Sequence, residues 1–204
     1  MMHTVIQGPP GTGKTEVARI IGKVYLAMGI LKNNTFVKAT RSNLIASYLG
    51  QTARLTQKVI DSSIGGILFI DEAHTMKGAG ASGSSTLDFA NMLKPAITKG
   101  NLKVIASTTW EEYYESFEKD RALMRRFQRV VVNEPNEATA IKIIKGLKKY
   151  YEQHHGVKIT NQAVIDSVKY SVKYLSDKKL PDKAIDLIDC ASARFKLRDE
   201  EAIL

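Results

Sequence analysis

Gly8-Pro9-Pro10-Gly11-Thr12-Gly13-Lys14-Thr15 decides the fold of this 204-residue chain. The octet fits G-x-x-x-x-G-K-[ST] and stands between an apolar run, Thr4 to Gln7, and a helical pattern from Thr15 to Met28. That strand-to-helix setting is the one the pattern requires. Glycines let successive backbone N–H groups turn inward around phosphate oxygens, and a following helix points its positive end at the same charge. Lys14 adds a full positive charge. Thr15 offers a hydroxyl to Mg²⁺, an ion that takes oxygen ligands and keeps part of its water shell. Four fixed positions of this kind arise by chance in such a chain on the order of 1% of the time, so a ligand-free glycine turn is the weaker reading.

Working outward, short apolar runs at Thr35 to Ala39, Ile67 to Ile70, Lys103 to Ser107 and Gln128 to Val132 alternate with helical patterns. The helical patterns run over Thr15 to Met28, Thr52 to Ser63, Leu87 to Ile97 and Glu111 to Arg126. This rhythm predicts a parallel sheet with helices on both faces. The run ending at Ile70 delivers Asp71 and Glu72 at a strand's C-terminal edge, where doubly wound sheets bind ligands. Asp71 suits the cation of a nucleoside triphosphate, and Glu72 suits polarisation of the water that attacks its γ-phosphate. A pair of surface acids capping the next helix is the competing reading, and the lysine-bearing loop argues against it.

After Pro135 the period is helical throughout, over Glu137 to His155, Asn161 to Leu175 and Pro181 to Leu197, the last opened by proline. The expected organisation is an α/β nucleotide-binding domain over residues 1–134 and a helical lid domain over 135–204. Lys77 to Ser85 is too rich in Gly and Ser for regular structure and is expected to be a mobile loop.

Composition bounds the rest. With 44% hydrophobic and 25% charged residues the chain is globular in type, and no apolar run reaches membrane-spanning length. The N-terminus lacks the basic and apolar regions of a secretory signal, so an intracellular, cytoplasmic location is expected. A disulfide framework is excluded by a single cysteine, Cys190, which its apolar sequence neighbours predict to be a core thiol. The formal charge of +9 is spread over helical stretches rather than gathered with aromatics, as in solvated helix faces.

Further polar residues are candidates. Thr109 follows the fourth strand, where a hydroxyl orients water or senses the γ-phosphate, and Thr108 competes for that role. Arg125 and Arg126, placed at a helix end before the fifth strand, carry permanent charge suited to a neighbouring subunit's nucleotide. Tyr48-Leu49-Gly50 pairs an aromatic with glycine, either as a polypeptide-gripping loop or as an ordinary buried tyrosine. Asp71 to His74 spells D-E-A-H, the box of a helicase class, but that class's arginine-rich second motor domain is absent from the sequence. His154-His155 has no partner at metal spacing.

On these residues the sequence resembles the AAA+ superfamily. From Gly66 to about Arg198 it is similar to the first ATPase module of Clp unfoldases, through IDEAHTMKGAGASG, ANMLKPAITKGNLKVIASTT, FEKDRALMRRFQ, EPNEATAIKIIKGLKKYYEQHHGVKIT and LPDKAIDLID. The protease-partner type is the nearest likeness. Gly22 to Ile64 is more similar to rubisco-activase-like members. The resemblance implies a P-loop AAA+ fold, with a parallel five-stranded sheet and a small helical lid. Lys14 and Thr15 become Walker A, Asp71 and Glu72 Walker B, Thr109 sensor 1, and Arg125 with Arg126 fingers acting on a neighbour. Tyr48 becomes a pore-loop aromatic, Gly78 to Gly83 a second pore loop, and Lys183 a substitute for the sensor 2 arginine in the nucleotide site.

Two departures accompany the likeness. The family's segment before the first strand, which helps to enclose adenine, is missing, so base recognition is expected to be incomplete. The family's amino-terminal substrate domain and second ATPase module are missing too, as in a fragment, a split gene product or a minimal relative. The implied function is ATP- and Mg²⁺-dependent protein unfolding by a homo-oligomeric ring, expected to be of six subunits, acting on polypeptide, with a protease or another AAA+ subunit as a possible partner and neither membrane nor nucleic acid as a favoured one. The rivals are a nucleic-acid motor or loader, and a weakly hydrolysing regulatory or assembly subunit.

Overall fold

The computed structural model describes residues 3–44, 51–76, 102–117 and 125–201, with the main chain alone at 74, 76, 116, 117 and 199–201. Contacts divide the chain into two units, Met1–Gly8 with Lys14–Val132, and Pro9–Gly13 with Asn133–Leu204.

The first unit contains β1 (His3–Gln7), α1 (Lys14–Ala27), β2 (Phe36–Ala39), α2 (Arg41–Leu44), α3 (Thr52–Ser62), β3 (Ile67–Ile70), β4 (Lys103–Thr108), α4 (Trp110–Glu112) and β5 (Phe127–Val131). The strands form one parallel sheet in the order β2-β3-β4-β1-β5. Every residue of β1, β3 and β4 is buried, as strands covered on both faces must be. Side chains alternate between two cores. Val5, Leu68, Ile70, Val104 and Ala106 share one with Ile60 of α3. Ile6, Ile67, Phe69 and Ile105 share the other with Ala18 of α1.

The second unit's helices are α5 (Glu137–His155), α6 (Asn161–Tyr174) and α7 (Asp182–Glu201). Its core gathers Ala140, Ile144, Ile159, Val164, Val168, Leu180, Ala184 and Ile188. Asn136 Oδ1 caps α5 by accepting from Thr139 N at 2.8 Å, and Thr160 Oγ1 accepts from Ala163 N at 3.0 Å to cap α6. Gly156 ends α5 at φ +71°, a conformation that favours glycine. Asn136→Ala is expected to cost about 1 kcal/mol, read as a lowered urea midpoint with an unchanged m-value.

Two expectations need correction. Of the helix expected over Glu111 to Arg126, the described part is an α-helical turn, Trp110–Glu112, that widens into a π-helical turn over Tyr113–Phe117, and Arg125 and Arg126 lie in a turn; residues 118–124 lie outside the described residues. Cys190 is exposed and not a core thiol. The buried positions of α7 recur as Ala184, Ile188 and Ser192, and Cys190 is about 200° round the helix from Ile188 at 3.6 residues per turn. Apolar neighbours in sequence are not neighbours in space on a helix. Cys190 is therefore expected to react with a thiol reagent without denaturant; a requirement for urea would contradict its position. The expected Lys77 to Ser85 loop and the Leu87 to Ile97 helix lie outside the described residues.

Candidate nucleotide site

The geometry of the Gly8 to Thr15 loop begins with backbone. Gly11 and Gly13 have φ of +76° and +85°, values that side chains resist, and a Cβ on Gly13 would meet nothing within 4 Å. Open space beside that glycine is what an approaching phosphate needs. Thr12 Oγ1 donates to Pro9 O at 2.9 Å and is mostly buried, which tightens the loop. Lys14 Nζ donates to Gly8 O at 2.9 Å across the loop. Burial lowers the Lys14 pKa, while the Asp71, Glu112 and Glu72 carboxylates pull it back up. Lys14 thus lies within electrostatic reach of both acids that follow β3.

Asp71 is half-buried, and both its oxygens are engaged. Oδ1 accepts from Ser107 Oγ at 2.7 Å, and Oδ2 pairs with Lys38 Nζ at 2.7 Å. Burial pushes its pKa up, but the Lys38 and Ser107 hydrogen bonds, the Lys38 charge and the Glu72 N–H together hold it below the ordinary carboxylate value. A depressed folded pKa means that Asp71 adds stability above its unfolded pKa, a contribution lost as pH falls through the folded value. Glu72 is exposed and has φ +49°, a left-handed conformation that costs a non-glycine residue roughly 1 kcal/mol or more. Its N–H donates to Ser107 Oγ at 3.4 Å, so one hydroxyl holds the backbone of one acid and the carboxylate of the other.

Thr109 and Thr108 share a partner. Thr109 caps α4, accepting from Glu112 N at 3.4 Å, and Glu112 Oε2 accepts from Thr109 N at 2.8 Å and Thr108 Oγ1 at 3.3 Å. Both threonines stay at the C-terminal edge of β4, with Thr108 buried. Arg125 and Arg126 are exposed just before β5, and Arg126 O accepts from His3 N at 2.7 Å. Lys183, expected at the nucleotide, is buried inside the second unit, where its ammonium donates to Leu175 O at 3.0 Å. Tyr48, Leu49 and Gly50, and the Gly78 to Gly83 loop, lie outside the described residues.

Three polar residues of the site escaped sequence reading. Glu112 had a local signal, the capping-box spacing Thr109-x-x-Glu112. Ser107 and Lys38 had none without the strand order. Register pairs Ile70 with Ala106 and Lys38 with Phe69, and only that alignment brings Ser107 and Lys38 to Asp71. Ser107→Ala is expected to reduce turnover by about tenfold, or about 1.4 kcal/mol, mainly in kcat, because the Asp71 carboxylate loses one of its two tethers. An unchanged kcat would show that Lys38 suffices.

A family model described as "ATPase family associated with various cellular activities (AAA)" matches residues 4–135, and an "AAA lid domain" model matches residues 136–203. The chain belongs to the AAA ATPase family. Among curated relatives of this AAA chain, Chaperone protein ClpB of Porphyromonas gingivalis is 43% identical over 204 residues, covering 96% of the chain and 24% of the relative. ClpB of Helicobacter hepaticus is 44% identical over 206 residues, covering 97% and 24%. The AAA chain thus spans about a quarter of the length of these relatives. In solved structures, a Saccharomyces cerevisiae Hsp104:casein complex in an extended conformation matches with TM-score 0.76 and 33% identity, over 96% of this chain and 34% of that one. A closed-state Hsp104 with ATPγS and casein matches with TM-score 0.75 and 33% identity, over 97% and 35%. Both findings agree with the expected likeness to a Clp-type first ATPase module.

The donor set of this AAA site fits a hard divalent cation. The Asp71 carboxylate and the Thr15 hydroxyl are oxygen donors, which Mg²⁺ prefers, and the Lys14 ammonium carries the charge that would complement phosphate oxygens. Among the described residues no cluster of three or more His, Cys, Asp or Glu stands ready to hold a metal without a nucleotide. No helix among them is long and apolar enough to cross a membrane.

Proposed function

We propose that the chain binds ATP with Mg²⁺, hydrolyses it, and uses the cycle to remodel or unfold polypeptides as part of a six-membered ring. The single observation that supports this most is that, in the first unit, Lys14 lies within electrostatic reach of Asp71 and Glu72, which follow strand β3 of one parallel sheet.

In this reading the N–H groups of Gly11, Thr12, Gly13 and Lys14 and the Lys14 ammonium bind the β- and γ-phosphates, since Pro9 and Pro10 have no N–H and the Gly8 N–H donates to Thr108 O. The Thr15 hydroxyl and the Asp71 carboxylate hold the cation. When bound, the cation neutralises charge on the phosphate oxygens. Glu72 accepts a proton from the attacking water, and Thr109, steadied by Glu112, orients that water. Arg125 and Arg126 face a neighbouring copy's γ-phosphate as fingers. Tyr48, Leu49 and Gly50 grip the polypeptide. Lys183, whose ammonium donates to Leu175 O, is the lid residue that substitutes for the sensor 2 arginine. The domain limits that accompany this reading are 1–134 and 135–204.

The test is steady-state ATPase activity with and without unfolded casein or single-stranded DNA, run beside sizing in ATP. Stimulation by casein and a ring-sized species are expected. Stimulation by DNA with a steep salt dependence would favour a nucleic-acid motor, and nucleotide binding without turnover would favour a regulatory subunit.

A further inference from the structure

No motif includes Lys38, yet it holds an oxygen of the carboxylate expected to hold the cation. Its position follows from a diagonal repeated across β2 and β3. Phe36 pairs in register with Ile67, and Lys38 with Phe69; the residue two further along β3 keeps the same face. Phe36 accordingly stacks on Phe69, ring centroids 5.6 Å apart. One repeat further on, Lys38 Nζ meets Asp71 Oδ2 at 2.7 Å. The aromatic pair therefore anchors the register that brings the ammonium to the acid. A slip of one residue would turn Lys38 to the opposite face.

A cation parked on this carboxylate either braces it or competes for it. Bracing is supplied from the other side, because Ser107 holds Oδ1 at 2.7 Å from a buried position on β4. The Lys38 side chain is 46% exposed, and its charge occupies the oxygen that Ser107 leaves open. A divalent ion whose water shell reaches Asp71 meets that charge as a like charge.

We propose that Lys38 competes with the divalent cation for Asp71 and so weakens retention of the nucleotide-bound cation, an inference that rests on the nucleotide site proposed above. The ammonium acts as a resident counter-ion that neutralises Asp71 when the cation leaves with spent nucleotide, and it yields that oxygen when a new cation arrives. Lys38 is a positioning residue in this scheme, acting through Asp71.

The experiment is Mn²⁺ binding to the full chain in the presence of ADP, with free Mn²⁺ read by electron paramagnetic resonance. Lys38→Met is expected to tighten the Mn²⁺ Kd by about 3- to 10-fold, the range expected when a half-exposed like charge is removed. Lys38→Arg, which keeps the charge and the pair, is expected to match the parent. The difference between Lys38→Met and the parent narrows as KCl is raised, because salt screens the repulsion. Equal or weaker Mn²⁺ binding by Lys38→Met, or Lys38→Arg behaving as Lys38→Met, overturns the inference. Asp71→Asn separates the two levels of the argument. If Asp71→Asn retains parental Mn²⁺ affinity, the nucleotide-site reading fails; if it loses affinity while Lys38→Met equals the parent, only the role of Lys38 fails.

Discussion

Glu72→Gln is expected to lower ATP turnover by at least about 100-fold, the lower end of what a positioned general base contributes, with ATP affinity changed by no more than about threefold. The substitution keeps shape and removes basicity, so binding survives while proton acceptance does not. Backbone geometry makes Glu72 the candidate. Its φ of +49° turns it out of the line of β3 and its N–H rests on Ser107, while Asp71, one residue earlier, is held by Ser107 and Lys38. The two acids are thereby separated in role: one has both oxygens engaged, and the other is exposed to solvent at the sheet edge. Steady-state phosphate release and equilibrium binding of a fluorescent ATP analogue measure the two halves of the prediction. Parental turnover by Glu72→Gln would refute the assignment.

Lys14→Met is expected to act on the other half, weakening ATP binding by about 100-fold or more. Its ammonium is half-buried and rests on Gly8 O at 2.9 Å, a neutral acceptor that phosphate oxygens displace. Charge-assisted bonds contribute about 1.5–3 kcal/mol each, so two of them to the β- and γ-oxygens reach about 3–6 kcal/mol; competition from Gly8 O and the remaining loop N–H contacts keep the net loss nearer the lower figure. Methionine fills the side chain's volume, which limits any loss of fold. The burial that lowers the Lys14 pKa is opposed by Asp71, Glu112 and Glu72, so charge reversal at those acids is expected to disturb Lys14 as well. Binding of ATP by Lys14→Met at parental affinity would detach the loop from the phosphates.

These two substitutions fall on residues that could be named from the sequence, and the reason is local. A loop with glycines at φ of +76° and +85° is written in consecutive residues. So is a buried four-residue strand that ends in two acids. The described strands and α1, α3, α5 and α6 lie within a residue or two of their expected limits; α2 is not among the expected helices, α7 runs four residues past Leu197 to Glu201, and at Trp110–Phe117 a capping box at Thr109 starts a helical turn that widens to π. Periodicity cannot distinguish that widening from an α-helix, because both place apolar residues at similar spacing. Cys190 failed for a related reason: a run of apolar letters carries no information about which face of α7 is turned to the core.

The sequence by itself determined the phosphate loop, the acid pair and the alternation that yields a parallel sheet, because each depends on backbone preferences and burial within a few consecutive residues. Only the tertiary structure decided what holds those acids. Ser107 and Lys38 reach Asp71 through the strand order β2-β3-β4-β1-β5 and its register, and a hydrogen-bond partner tens of residues away leaves no mark in local composition.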